Sequence, residues 1–561
     1  MDVVSKLNKW NSAEEHKAVI LGGGLAGLSL AVQLKQRQPN LPVLVIERAL
    51  HPVQEAAHKV GESLVELSTY YFAEVLGLRP HLDKSQLPKL GLRFFFKPTP
   101  DQAGLDRLAE PVEVGAKRFP ESPSYQIDRG IFENHLAEHA QSLGVVFVDG
   151  AKVDTVNLKK KEVEHDVQFT ELSSGDVHNI SCRWLIDACS RQSPIKRTKD
   201  LAKESAHKVS SVWFRIESKL NIDDIHPDQY AAGVHAGDNS RWFSTNHFMG
   251  DGYWVWFIPL SSGSTSVGIV VENDSHPLTD LNTFDKAMVW LKEHEPVAAG
   301  FVESKIESLQ DFRVLKNFSH DCDKVYSRDR WFLTGEAGVF LDPFYSPGSD
   351  FIAISNTFIT HLIEKDMAAP EEFANNAAQL DIFYLNLFKN TALIYQNHYP
   401  VFSHPVVMPV KIMWDFAVYW SFTAFLFMQG KFDSTESIFK LHRHFEEIGE
   451  MNNALQELLR VWAKELPREA SPGYVDFFDF EYLHELSVGL KQELPNEEAF
   501  KSTFLNNISR LKALYQQLHQ RVLEDCPGIE EKLPNSPYLD DATDHTGCSP
   551  DLDKILAQLV A

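Results

Sequence analysis

The stretch "HKAVILGGGLAGLSLAVQLKQRQPNLPVLVIERA" restricts the fold more than any other part of the chain. An apolar run, Ala18–Leu21, enters Gly22-x-Gly24-x-x-Gly27, an apolar-striped segment follows, and "VLVIE" closes the unit on Glu47. This is the order strand, glycine turn, helix, strand, in which a lone glycine motif gains its meaning. The glycines allow a tight turn and close approach of backbone to a pyrophosphate. The start of the helix adds partial positive charge there. Glu47 stands where a carboxylate meets the hydroxyls of an adenosine ribose. The unit predicts a dinucleotide site on a parallel α/β sheet.

A chain of 561 residues exceeds one small core and should divide into lobes. A formal charge of -24 argues against a nucleic-acid binder, since phosphate neutralisation needs clustered Lys and Arg. Cys182, Cys189, Cys322, Cys526 and Cys548 show no CxxC spacing, which suggests neither a zinc site nor a disulfide framework. A reducing cytoplasm is the expected location, and no metal is expected. The first twenty residues lack an apolar core of signal-peptide length. The most apolar later stretch, "FAVYWSFTAFLFM" at 416–428, is too short to cross a bilayer and predicts a buried helix.

Further along, "YQIDRGIFENHLAEHAQSLGVVFVDGAKV" predicts an amphipathic helix and a strand, and "WLIDACSRQS" another strand. Residues 208–270 alternate as a sheet would, with "VSSVWFRIE", "GYWVWFIPL" and "STSVGIVV" as strands. "RDRWFLTGEAG" returns to a strand and glycine turn, and from about residue 370 the apolar spacing is helical. The tail after Pro527 is rich in turn residues. The divisions expected are 1–205, 206–325, 326–368 and 369–561.

The fingerprint, the "DRGIFENHL" helix start, the "LIDA" strand and the late "TGEAG…DP" turn occur in the order of aromatic-hydroxylase flavoproteins. Within that class the chain resembles the flavin-dependent halogenases. "WVWFIP" (Trp254, Trp256, Ile258, Pro259) matches their WxWxIP signature, and "FLDPFYSPG", Phe340 to Gly348, matches FxxPxxSxG. "KVGESL" at 59–64 is similar to their loop near the flavin ring, and the likeness spans roughly residues 17–365.

The resemblance implies a Rossmann-like FAD-binding domain (1–205 and 326–368), an inserted β-sheet substrate lobe (206–325) and a helical C-terminal region (369–561). It implies FAD, reduced by a separate flavin reductase since no second GxGxxG is present, and a halide ion. Gly22, Gly24, Gly27, Glu47, Gly61, Glu62, Arg129, Gly335 and Glu336 would bind the cofactor. Glu336 replaces the usual Asp of the class, and Ser190 replaces a glycine after the strand ending at Asp187. Trp254, Trp256, Ile258 and Pro259 would wall the flavin, as strand positions i and i+2 share a face, although core packing alone would also place them so. Ser346, Pro347, Gly348 and Ser349 would shape the halide side.

In this family hypohalous acid formed at the flavin reaches a lysine that delivers electrophilic halogen. The position used by the tryptophan-specific branch falls here on Tyr70, and that branch's Glu falls on Tyr345. The phenol and pyrrole branch uses a K-x-G strand, which "LPKLGLRFFF" supplies as Lys89, with Lys59 the alternative. An amine suits the role because burial tunes its basicity. The expected activity is halogenation of a phenolic or pyrrolic acceptor, free or tethered to a carrier protein. The alternatives are a flavin monooxygenase that hydroxylates an aromatic small molecule or a protein-bound residue, and a non-catalytic flavin-binding protein.

Overall fold

The computed structural model describes residues 3–11, 16–55, 59–99, 111–160, 163–224, 241–533 and 538. Most of the turn-rich tail, with Cys548, lies outside the described residues. The glycine fingerprint folds as its spacing predicts. Strand Ala18–Leu21 is fully buried, the helix runs from Leu25 to Arg37, and the next strand is Val43–Ile46. These belong to a parallel five-stranded sheet in the order Trp331–Leu333, Trp184–Asp187, Ala18–Leu21, Val43–Ile46, Val146–Val148. The strand 331–333 returns from far along the chain to pair beside 184–187, as the late "TGEAG" turn implied. Helix Leu25–Arg37 packs between helices Arg129–Ser142 and Gly348–Ala368.

The second large sheet has eight strands, in the order Leu309–Leu315, Val209–Ile216, Thr265–Glu272, Tyr253–Pro259, Thr245–Gly250, Leu92–Phe96, Val112–Gly115, Gly473–Asp476. It draws Leu92–Phe96 and Val112–Gly115 from within residues 1–205 and Gly473–Asp476 from within 369–561. The chain therefore weaves its lobes together rather than laying them end to end.

Strand Tyr253–Pro259 shows why the signature reads as an unbroken apolar run. Trp254, Trp256 and Ile258 join the large core shared with the parallel sheet. Tyr253, Val255 and Phe257 join a second core, which includes Met288 and Leu291 of helix Phe284–His294. Alternation with period two sends the two sets to opposite faces, and both faces are covered. Gly268, paired with Trp256 on the neighbouring strand, is required by the indole: a Cβ there would lie 2.1 Å from its ring.

The C-terminal helices Pro370–Ala392, Thr435–Glu465 and Glu497–Asp525 follow the predicted spacing. The apolar stretch 416–428 is mostly buried, with Phe416, Val418, Tyr419, Thr423 and Met428 half-buried, and it is not one regular helix. Val407–Val418 passes through a π-helical turn at Tyr419–Thr423 into Ala424–Met428. No helix among the described residues is long and apolar enough to cross a membrane.

A buried charge cluster holds the second sheet near the edge formed by Leu92–Phe96, Val112–Gly115 and Gly473–Asp476. Glu113 accepts from Arg93 and Arg241, the latter with one contact at 3.1 Å, and all three side chains are at most 2% exposed. Glu113 thereby ties adjacent strands to the turn Arg241–Phe243 that leads into Thr245. Removing one partner of such a group leaves charge buried and uncompensated. Glu113→Gln should lower the unfolding free energy by about 3 kcal/mol. Urea denaturation checks this, and an unchanged midpoint would contradict it.

Candidate active site

The mouth of the glycine turn opens into a cleft of about 590 Å³ between the two sheets. Gly22 and Gly24 line it, and Gly27 does not. Gly27 instead lets the helix approach the turn, since a Cβ there would sit 2.0 Å from the carbonyl oxygen of Gly22. Above Gly24 only Lys59 Nζ comes within 4 Å of such an atom, at 3.9 Å. Gly24 also caps helix Leu25–Arg37 without a side chain, leaving the first N–H groups for a ligand. Glu47 ends its strand beside them, its carboxylate accepting from the N–H groups of Gly23 and Ala49.

Gly61, Glu62 and Arg129 also line the cleft. The Glu62 carboxylate is occupied by Arg215, at 2.9 and 2.7 Å, and Arg215 also binds Asp311 at 2.7 Å. Glu62 thus anchors the "KVGESL" loop to the second sheet. Arg129 pairs with Glu133, which also takes Lys59, and donates to the carbonyl of Val60. Lys59 therefore sits at the glycine-turn end of the cleft.

Gly335 and Glu336 stand beside the glycine turn, a Cβ at Gly335 lying 3.1 Å from that of Ala26, while Trp254, Trp256 and Ile258 line another part of the cleft. The two indoles are 5.5 Å apart between centroids. Pro259 does not reach the cleft lining; it closes the strand opposite Thr265. Gly335 has φ +59°, and Glu336 accepts a hydrogen bond from Ser190. Ser190 itself adopts φ +52°, the left-handed conformation that the usual glycine would hold more easily. Asp187 is spent on structure: it accepts from Cys189 N, Ser193 Oγ and Ile195 N.

Ser346, Pro347, Gly348 and Ser349 all line the cleft. Tyr345 and Ser346 have φ of +67° and +61°, which turn the chain sharply into helix Gly348–Ala368. The start of that 21-residue helix, with its unpaired N–H groups and positive dipole end, faces the cleft.

A second cavity, of about 780 Å³, lies on the other side of this turn, and Pro347 and Phe351 line both. Lys89 opens onto this second cavity. Its side chain is 1% exposed, and Nζ donates to Ser63 Oγ at 2.8 Å and to the carbonyl of Leu64 at 2.7 Å. Burial brings the amine down to about 7, opposed by the nearby carboxylates of Glu66 and Asp350. Both carboxylates line the same cavity. Burial raises Glu66, and pushes Asp350 up to about 7 even though Ser68 N and Tyr419 Oη donate to it.

Several of these groups carry no sequence signal. Glu66 and Asp350 meet Lys89 only in three dimensions, and Tyr419 arrives through the π-helical turn. His247 lines the cleft, its ring stacked on Phe94 at 4.7 Å, and burial lowers it to about 3, so it is a neutral imidazole. The alternation of "STNHFMG" marks a strand but not which of its residues face a ligand. Tyr345 bonds Asp415 at 3.0 Å, and Asp415 is paired with buried Lys411 at 2.6 Å. The tyrosine at the position of the tryptophan branch's Glu is thus tied into the helical region.

A family profile described as FAD binding domain matches residues 15–349. The flavin-dependent halogenase chlA of Dictyostelium discoideum is 25% identical over 435 residues, 73% of this chain and 70% of that protein. The flavin-dependent halogenase armH2 of Armillaria mellea is 25% identical, and the match spans 62% of its length. The 1H-pyrrole-2-carbonyl-[peptidyl-carrier protein] chlorinase of Pseudomonas fluorescens is 26% identical over 60% of this chain and 73% of its own. Among solved structures, the halogenase PltM superposes with a TM-score of 0.65 at 15% identity, covering 94% of this chain and 98% of that one. The flavin-dependent halogenase CmlS gives 0.55 at 20% identity over 79% and 72%. With glycine turn, tryptophan wall and proline turn around one cleft, the chain belongs to the FAD-binding-domain flavoproteins and, among them, to the flavin-dependent halogenase family.

Proposed function

We propose that the protein is an FADH2-dependent halogenase that uses O2 and chloride or bromide to halogenate a phenolic or pyrrolic acceptor through Lys89. One observation carries this reading. A buried amine of lowered basicity faces a large, mainly apolar cavity, and a thin turn separates that cavity from the dinucleotide cleft.

The cleft fits FAD. Its glycines leave room beside Gly24 for a pyrophosphate, Glu47 suits the adenosine ribose, and Glu336 suits a ribityl hydroxyl. Arg129 and Gly61 border the same space. When bound, reduced FAD supplies with O2 the oxidation that turns halide into hypohalous acid. The helix start behind Ser346, Pro347, Gly348 and Ser349 offers N–H groups and positive potential to the halide. Trp254, Trp256 and Ile258 keep bulk water and the acceptor away from that end. Pro347 and Phe351 border both cavities, so the halide side and the cavity that holds the amine adjoin at this turn. Lys89 then holds the electrophilic halogen by hydrogen bond or as a haloamine, and Glu66 and Asp350 are placed to take the proton that the ring loses. A separate flavin reductase supplies the reduced cofactor, and the cytoplasm is the compartment. The acceptor is free or carried on a protein; the Pseudomonas relative is named for a carrier-bound pyrrole.

Lys89→Ala tests the role of the amine. It should abolish halogenated product, by at least a hundredfold, while the variant still binds FAD and reoxidises reduced flavin. Product formation at the normal rate would overturn the assignment, and oxygenated product would identify a monooxygenase.

The burial of the amine also predicts a pH signature. Lys89 holds its proton less firmly folded, at about 7, than unfolded, near 10.5. The destabilisation is complete below pH 7 and fades as pH rises toward 10.5, because the unfolded chain binds the extra proton between these values. Lys89→Met should therefore raise the thermal midpoint at pH 6.5 and give a smaller rise at pH 9.5. Equal rises at both would contradict the lowered basicity.

A further inference from the structure

We propose that Ser63 and Thr245 are positioning residues whose hydroxyls, bridged through the partition between the two cavities, set whether Lys89 is held as ammonium or as amine. The inference rests on the role given to Lys89 above. Ser63 Oγ accepts from Lys89 Nζ at 2.8 Å and lies 2.9 Å from Thr245 Oγ1. Thr245 Oγ1 in turn meets both ends of the Gln126 amide, Nε2 at 2.8 Å and Oε1 at 3.1 Å. Ser63, Thr245 and Gln126 are 4%, 2% and 0% exposed. Ser63 and Thr245 line the dinucleotide cleft, whereas Lys89 lines the other cavity. The array therefore crosses the partition.

Its hydrogen bonds can run in either direction. When Lys89 is charged, Nζ donates to Ser63, Ser63 to Thr245, and Thr245 to Gln126 Oε1. When Lys89 is neutral, Gln126 Nε2 donates to Thr245, Thr245 to Ser63, and Ser63 to the amine. A hydroxyl is both donor and acceptor and turns freely, so each state of the lysine finds a satisfied partner. The Leu64 carbonyl accepts an N–H in both. The carboxylates of Glu66, on helix Glu66–Tyr70, and Asp350, on helix Gly348–Ala368, act on Lys89 from the cavity side. His247, on the strand that carries Thr245, faces it as a neutral ring. Lys89 Nζ makes its hydrogen bonds to Ser63 and the Leu64 carbonyl rather than to these three groups, and of the two partners only the Ser63 hydroxyl can reverse its direction.

The array makes a signed prediction. Ser63→Ala removes a charge-assisted acceptor from the ammonium and should favour the amine. Thr245→Val removes the outward acceptor of Ser63, whose hydrogen then turns toward Lys89 and again favours the amine. Thr245→Ser keeps the hydroxyl. The test measures the rate at which fluorodinitrobenzene labels Lys89 across pH, read by peptide mass spectrometry on the full chain with FAD absent, so it is independent of halogenation. The labelling midpoint should fall by about one pH unit in Ser63→Ala, a tenfold change, and by less in Thr245→Val. In Thr245→Ser it should stay at the native value. FAD titration of each variant establishes that the cleft is intact. Native midpoints in both Ser63→Ala and Thr245→Val would overturn the proposal, as would equal shifts in Thr245→Val and Thr245→Ser. Failure of the Lys89→Ala experiment would instead remove the lysine's catalytic role and leave the labelling result standing.

Discussion

The placement of one amine organises the functional half of this molecule. An ammonium group removed from water loses solvation that nothing apolar replaces, so it must be hydrogen-bonded, paired with charge, or neutralised. Lys89 meets all three conditions in part. Ser63 and the Leu64 carbonyl bind it, Glu66 and Asp350 lie close enough to act on it through space, and burial lowers its basicity to near neutrality. A lysine serving only stability would sit better in solvent. The fold accepts this cost at the wall of the second cavity, across Ser63 from the dinucleotide cleft.

The separation of those cavities depends on a short segment with unfavourable backbone geometry. Tyr345 and Ser346 adopt left-handed conformations in succession, costing of order 1 kcal/mol each or more. Contacts on both sides hold them. The Tyr345 hydroxyl reaches Asp415, and the Ser346 N–H donates to the Pro343 carbonyl at 2.8 Å. The result aims the start of a long helix at one cavity while Pro347 borders the other. Asp342, next to this turn, accepts from Tyr399 at 2.6 Å, and Tyr399 accepts from the Trp254 indole at 3.1 Å. The two family signatures are thus joined by hydrogen bonds through a helical-region tyrosine.

Much of this was legible in the chain itself. The βαβ unit could be read because Gly22, Gly24 and Gly27 have a steric requirement that few other arrangements impose. The alternating strands of the second sheet could be read because their period is two on both faces. Other features depend on contacts between distant segments. Strand Gly473–Asp476 is four residues long and gains its identity only by pairing with Val112–Gly115. Glu62 read as a cofactor neighbour because of its loop, but its carboxylate is held by Arg215, far along the chain. Pro259 completes a motif by sequence and a strand end by structure. Glu66, Asp350 and His247 belong to no local pattern, since three separate elements bring them to Lys89. Periodicity reports which face of an element is buried, not what that face meets.

The central claim is that oxidising equivalents formed in one cavity emerge in the other as electrophilic halogen. It is tested most directly by mass spectrometry of reactions holding the protein, FAD, a flavin reductase, bromide and a panel of phenols, pyrroles and indoles. The account predicts the paired isotope masses of bromine on a phenol or pyrrole, and their absence when bromide is omitted. A product heavier by one oxygen and indifferent to bromide would contradict it.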